Sequence, residues 1–126
     1  MDEDLNRLTE AIIGAAIMVH RELGPGLLES SYQACLAYEL ASQGFTVQSE
    51  LKLPVRYKGL QIDAGYRIDL LVDNKVIVEA KAVETMHPIC EAQLLTYLKL
   101  SGCRVGLLIN FNVKLLKDGI TRRILG

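Results

Sequence analysis

The chain is poor in most of what marks the specialised protein classes. It has three prolines in 126 residues and no repeat or low-complexity stretch, and half of its residues are hydrophobic, which excludes a disordered chain. That length suffices for one domain, residues 1–126, and is too short for two independent cores. No apolar run approaches the ~18 residues of a membrane span. The run from Val105 to Ile109 is of the kind a buried strand needs. Neither charge dominates: fourteen basic side chains face fifteen acidic ones. The formal charge of −1 excludes a strongly basic nucleic-acid coat, but not an enzyme whose positive charge is local. The opening Met1-Asp-Glu-Asp is acidic, whereas a secretory signal begins basic and turns apolar. The expectation is a soluble, cytoplasmic protein with no membrane association.

Cysteine is scarce as well. Cys35, Cys90 and Cys103 are odd in number, widely spaced and without a CxxC, which fits neither a disulfide framework nor a zinc site. Cys35 and Cys103 read as small core residues among apolar neighbours. Cys90 lies near His87, but that spacing is too weak a signal for a thiol nucleophile.

What is present is a change of period. Asp4 can cap a first helix running to about Leu23, with Leu5, Leu8, Ile12, Ala16, Val19 and Leu23 on one face. Gly24-Pro25-Gly26 ends it. A second helix is expected from about Leu27 to Ser42, with Leu28, Tyr32, Cys35, Leu36 and Leu40 as its stripe and Gly44 as its left-handed stop. The period then falls to two. Phe45–Tyr57 reads as one strand, open to a break near Pro54. Gln61–Val72 and Lys75–Val83 read as two more, joined by a tight turn at Asp73-Asn74. A third helix runs from about Pro88 to Leu100, and Arg104–Phe111 is a short buried strand. Val113–Leu125 adds a last strand, or a hairpin through Asp118-Gly119. The fold class is α/β: a mixed sheet flanked by helices.

The informative segment runs from Tyr66 to Val83. On its first strand Tyr66, Ile68, Leu70 and Val72 share one face and Arg67, Asp69 and Leu71 the other. On its second, Ile77, Glu79 and Lys81 share a face. Depending on turn length, Asp69 lands beside Val78 or directly opposite Glu79. In the second register Asp69, Glu79 and Lys81 converge on one face, within about 5–6 Å across the pair. An exposed sheet face with a salt bridge is the plain reading of such a pattern. In a hairpin otherwise built of Val, Ile and Leu, however, two carboxylates and an ammonium are costly to desolvate. They suit a hard cation, Mg²⁺ or Mn²⁺, held by Asp69, Glu79 and the Ala80 carbonyl, with Lys81 orienting or deprotonating a water.

Asp69 followed ten residues on by Glu79-Ala-Lys81 resembles the core of the PD-(D/E)XK nuclease superfamily, whose fold is an αβββαβ sandwich. Here that restriction-endonuclease-like core would carry an extra N-terminal helix and a C-terminal β tail. Gly26-Leu-Leu-Glu29-Ser-Ser-Tyr32 is similar to the signature of the small bacterial family named GxxExxY. Further blocks resemble it too: His20 to Gly26, Gly65 to Asp69, Glu91 to Tyr97, and Leu108 to Asn112. The resemblance implies that Glu29 is the acidic residue of the first core helix, that Asp69 and Glu79 bind metal, that Lys81 is the catalytic lysine, and that Gln93 is the polar position on the following helix.

Other residues have plainer readings. Glu29 can serve the helix dipole alone, and Tyr97 can be an amphipathic core residue. His20 reads as structural, and His87 as a helix cap or a phosphate contact. Arg122-Arg123 with Lys114 and Lys117 reads as a solvated basic tail.

Two functions follow. One is a Mg²⁺-dependent phosphodiesterase acting on DNA or RNA. The other is a nuclease-fold binding or partner module without turnover, since so small and near-neutral a chain has little surface to grip a long duplex alone. A small-molecule carrier has no pocket signature. An open sheet edge, and the twofold symmetry of duplex substrates, lead us to expect a homodimer.

Overall fold

A computed structural model describes residues 3–126. Helix α1 (Glu3–Leu23) is already formed at Glu3, which places Asp4 inside its first turn, where a carboxylate favours the helix dipole. Leu5, Leu8, Ile12, Ala16 and Val19 are buried along one side, as the spacing predicts; Ala15 joins them, and Leu23 is half-buried against the same cluster. No described helix is long and apolar enough to cross a membrane.

Helix α2 (Glu29–Ser42) starts two residues later than expected. Leu28 is its N-cap and is 75% exposed rather than part of the stripe. The inward face is Tyr32, Leu36 and Leu40, at a four-residue step. Cys35 falls off that step and is exposed, a correction to its expected place in the core, and Cys103 is half-buried.

The expected strand Phe45–Tyr57 is two strands, β1 (Val47–Lys52) and β2 (Val55–Tyr57), and Gln61–Val72 is likewise β3 (Leu60–Ile62) and β4 (Arg67–Val72). The division has a local cause. Lys58 and Gly59 adopt φ of 48° and 86°, the left-handed pair that closes a two-residue hairpin. That hairpin, β2–β3, is a sheet of its own. Strands β5 (Val76–Lys81), β6 (Val105–Asn110) and β7 (Ile120–Ile124) complete a main sheet in the order β1-β4-β5-β6-β7. Helix α3 (Pro88–Ser101) connects the parallel pair β5 and β6, and all other pairs are antiparallel. The last segment is a 3-10 turn, Leu116–Gly119, leading into β7, and not a hairpin.

The sheet separates two apolar clusters. On one side α1 and α2 pack against Leu70, Val72, Val76, Val78, Ala80, Val105, Leu107 and Ile109. On the other, Leu94, Tyr97 and Leu98 of α3 pack against Leu71, Ile77 and Leu108. Gly106 permits the close seating of α3, because a Cβ there would lie 2.6 Å from Leu94 Cδ1. The result is the expected α/β sandwich: α2, β1, β4, β5, α3 and β6 form the αβββαβ core, preceded by α1 and followed by β7.

Candidate active site

The site is built where two strands part. Between β4 and β5 the turn Asp73-Asn74-Lys75 has its first two residues at φ of 52° and 57°. It sets the pairs Val72–Val76, Leu71–Ile77 and Leu70–Val78. The next step brings Asp69 opposite Glu79, the second of the two registers the sequence allowed, but there the backbone ladder stops. Side chains take its place. The Asp69 N–H donates to Glu79 Oε2 at 2.9 Å, and the Ala80 N–H donates to Asp69 Oδ2 at 2.9 Å. The strict alternation read from the sequence fails at the same point. Ile68 packs in the α3 cluster while Leu70 and Val72 pack in the other, so the strand turns its faces at Asp69.

Glu79 is only 5% exposed, Asp69 and Lys81 are half-buried, and Ala80 is buried. Burial, reinforced by the facing Asp69 charge, pushes the Glu79 carboxyl up to about 8. Burial also raises Asp69, against the Ala80 N–H and Lys81, which hold it down. Lys81 attracts both carboxylates without forming a direct ion pair.

Glu29 opens α2 and is exposed. It lines one cleft with Ser30 and Ala82, the residue after Lys81, and repels Asp69 through space. The segment around it explains the Gly26-x-x-Glu29-x-x-Tyr32 spacing. Gly26 takes φ of 100°, and the buried Tyr32 latches the loop: its hydroxyl donates to Gly24 O at 2.5 Å and accepts from the Leu27 N–H at 3.1 Å. Its ring stacks on Phe111 at 4.6 Å.

Two residues not singled out from the sequence belong here. Glu50 on β1 lies level with Asp69, at a left-handed φ of 52° that interrupts the pairing between Ser49–Leu70 and Leu51–Ile68. Gln33, one helical turn after Glu29, donates from Nε2 to Glu50 Oε2 at 2.8 Å and to the Asp69 carbonyl at 3.3 Å. Glu50 adds to the repulsion on both Asp69 and Glu79. The only sequence signal for Gln33 was its four-residue step from Glu29. Glu50 had none, because its partner depends on β1 pairing with β4 across the intervening hairpin. Tyr97 is core and also feels the site: burial and then Glu79 raise its hydroxyl to about 12, and its ring meets Tyr66 edge-on at 6.2 Å. Gln93 is half-buried on α3, and its side chain has no hydrogen bond to any described residue.

The remaining candidates are structural. The His20 ring bonds the Val113 carbonyl at 2.8 Å, and His87 Nδ1 caps α3 by accepting from the Ile89 N–H at 3.1 Å. Of the expected solvated tail, Lys114 and Lys117 are exposed, whereas Arg123 pairs with Glu91 and Arg122 donates to Asn6 Oδ1 at 2.9 Å.

The family model of the PD-(D/E)XK nuclease superfamily matches residues 6–123, which takes in most of α1 and β7 and every element between them. The chain belongs to the PD-(D/E)XK nuclease superfamily. No curated protein and no solved structure matches it. Glu79-Ala80-Lys81 reads as the (D/E)XK of the superfamily's name, while Asp69, which faces Glu79 at the parting of β4 and β5, follows Ile68 where the name has proline. The donors there are all oxygen, the type preferred by hard divalent cations. Among the described residues no three His, Cys, Asp or Glu side chains come together as a metal cluster. Glu29 therefore does not join Asp69 and Glu79 in a three-acid cluster.

Proposed function

We propose that this PD-(D/E)XK protein is a Mg²⁺- or Mn²⁺-dependent nuclease that hydrolyses phosphodiester bonds of nucleic acid, and that it is of the GxxExxY type. One observation carries the reading. A buried and a half-buried carboxyl that repel each other meet where the ladder opens, with a lysine two residues along the same strand. A structural ion pair has no need of two acids held against their own burial cost. A divalent cation supplies charge to offset the phosphate and acidifies a bound water.

The chain's own residues do the rest. Asp69 and Glu79 hold the ion, and the Ala80 carbonyl between Glu79 and Lys81 is the third candidate ligand. Each carboxylate has one oxygen steadied by a backbone N–H and one left to bind. Lys81 orients or deprotonates the attacking water. Glu29 and Glu50, exposed at the rim, position waters or the cation's outer shell, with Gln33 fixing Glu50 against Asp69. Gln93 is free to contact the substrate. A homodimer belongs to the same proposal, and light scattering that shows a monomer at high concentration removes it.

Cleavage of labelled DNA and RNA with Mg²⁺ tests the function. Asp69→Asn and Lys81→Ala should each lose at least about a hundredfold, the scale of general-base and electrostatic contributions. Full activity in both variants would overturn the reading. A second reading, a partner module without turnover, is favoured by the want of a third acid beside Asp69 and Glu79 among the described residues. Calorimetry separates the two: Mn²⁺ binding that Asp69→Asn abolishes supports the enzyme, and no binding by folded protein supports the module.

A further inference from the structure

The β2–β3 hairpin differs in kind from the rest of the chain. Between Lys52 and Arg67 lie four basic residues and one acid, Asp63, while the remainder of the chain has ten basic and fourteen acidic residues. Asp63 is shared by the two residues at the hairpin's base, at 4.0 Å from Lys52 and 3.8 Å from Arg67. Arg56 and Lys58 further out pair with no acid among the described residues, and the Lys58 ammonium lies 5.3 Å from the Tyr57 ring centre.

The pairs Val55–Ile62, Arg56–Gln61 and Tyr57–Leu60 sort the hairpin's two faces. One face is Arg56 and Gln61. The other is Val55, Ile62, Tyr57 and Leu60, and its outer members are 64% (Tyr57), 59% (Leu60) and 45% (Ile62) exposed. The arm rises from the ends of β1 and β4, and Arg67 is two residues from Asp69, or about 7 Å along a strand. Tyr66, 42% exposed at its base, touches Tyr97 in the α3 cluster.

We propose that this arm is the substrate grip and that it selects unpaired nucleic acid: Tyr57 and Leu60 pack on base faces while Arg56 and Lys58 contact phosphates. The proposal rests on the nuclease reading of the neighbouring site. Charge complementarity names the occupant, because the arm carries unpaired positive charge on a chain that is otherwise acidic. Its uncovered aromatic and aliphatic face selects the strand state. A duplex hides its base faces in the stack and offers only edges, whereas a single strand offers a π-face at every base.

The test is binding by fluorescence anisotropy in EDTA, where hydrolysis plays no part. The probe is a labelled oligonucleotide of about 16 nucleotides, a length at the upper end of single-strand sites, run as DNA and as RNA and again annealed to its complement. Wild type should bind one or both single strands more tightly than the duplex. Tyr57→Ala with Leu60→Ala should weaken strand binding by roughly ten- to a hundredfold. Arg56→Gln with Lys58→Gln should reduce the slope of log affinity on log salt by about 1.4, two phosphates' worth on a single strand. Lys75→Gln with Lys117→Gln removes the same charge elsewhere and should leave that slope unchanged. All of these side chains are exposed, and unchanged melting curves confirm that the variants fold.

Normal binding by both arm variants overturns the proposal, as does duplex binding as tight as strand binding. A dimer that dissociates when Tyr57 and Leu60 are replaced also overturns it, because a second copy then covers the face. If the arm binds as described and wild type cleaves nothing with Mg²⁺, the nuclease reading fails and the grip stands.

Discussion

The β4–β5 hairpin has two ends that obey different rules. At the turn, Leu70, Val72, Val76 and Val78 are fully buried and pair in regular register. One residue beyond Leu70 and Val78 the ladder is replaced by carboxylates bonded to the opposite backbone, and both carboxyls are raised by burial. The first end is organised for stability. The second end holds two carboxyls whose ionisation burial opposes, which is what the proposed cation site requires. The same pair of strands thus serves both purposes, and the closed end supplies the rigidity that aims the open one.

Breaking the closed end should have the largest effect on the fold. Leu70→Ala removes a fully buried side chain from the cluster under α1 and α2 and should cost about 2–5 kcal/mol. The loss should be the same at pH 5 and pH 8 and with Mg²⁺ or EDTA, as read from denaturant melts. A loss that depended on metal or pH would mean that the two ends are not separable.

Breaking the open end should do the reverse. Glu79 titrates near the ordinary glutamate value of 4.5 when unfolded and at about 8 when folded. Between those values the native state holds the extra proton, so stability is greatest at the acid side and falls as pH rises through the window. Glu79→Gln keeps an acceptor for the Asp69 N–H and removes the charge. In EDTA it should melt higher than wild type at pH 8 and match it near pH 4.5. The gain is a few kcal/mol, since each tenfold change in proton affinity is worth about 1.4 kcal/mol. Mg²⁺ should raise wild type at pH 8 and leave the variant unmoved. A variant less stable than wild type at pH 8, with or without metal, means that the Asp69–Glu79 pair is structural.

How much of this contrast the sequence disclosed depends on how local the cause is. The turn at Asp73-Asn74 lies between two period-two segments, so the pairing of Asp69 with Glu79 was reachable as one of two registers. The helices followed from stripes and breakers, as with Leu5 to Val19 before Gly24-Pro25-Gly26. The β2–β3 arm was not legible. Its two flanks read as continuations of β1 and β4, and the Lys58-Gly59 turn did not interrupt the pattern strongly. Glu50 was hidden for the same reason, since nothing in residues 45–57 reveals which strand lies beside them. The failure at Cys35 was of another kind: apolar neighbours in sequence are not neighbours across a helix.

The latch on α2 gives a smaller effect that links the motif to the site. Tyr32→Phe keeps the stack on Phe111 and deletes the bonds to Gly24 O and the Leu27 N–H, both part-buried. It should cost about 1–3 kcal/mol, the net worth of two hydrogen bonds. Because the same loop sets the start of α2, cleavage should fall further than stability when Glu29 is misplaced. Equal activity at a temperature where both proteins are folded would show that Glu29 has no positional role.

The smallest effect is expected at the rim, where Glu50 sets two forces against each other. Its charge raises both Asp69 and Glu79, yet its Oε2 accepts from Gln33 Nε2 at 2.8 Å. Glu50→Gln retains an oxygen for that bond, so the repulsion is the only part removed. Glu50 is exposed, and water and salt screen such a charge, which limits the gain to less than about 1 kcal/mol. With less repulsion the folded Glu79 carboxyl moves back toward 4.5, so the pH window over which stability is lost should narrow from its alkaline side. The difference should shrink further as salt approaches about 1 M, where the screening length is ~3 Å. Paired melts of wild type and Glu50→Gln across that pH window, at low and high salt in EDTA, read all three signs. If the variant is less stable at every pH, the hydrogen bond to Gln33 outweighs the repulsion, and Glu50 belongs with the closed end of the hairpin and not with the open one.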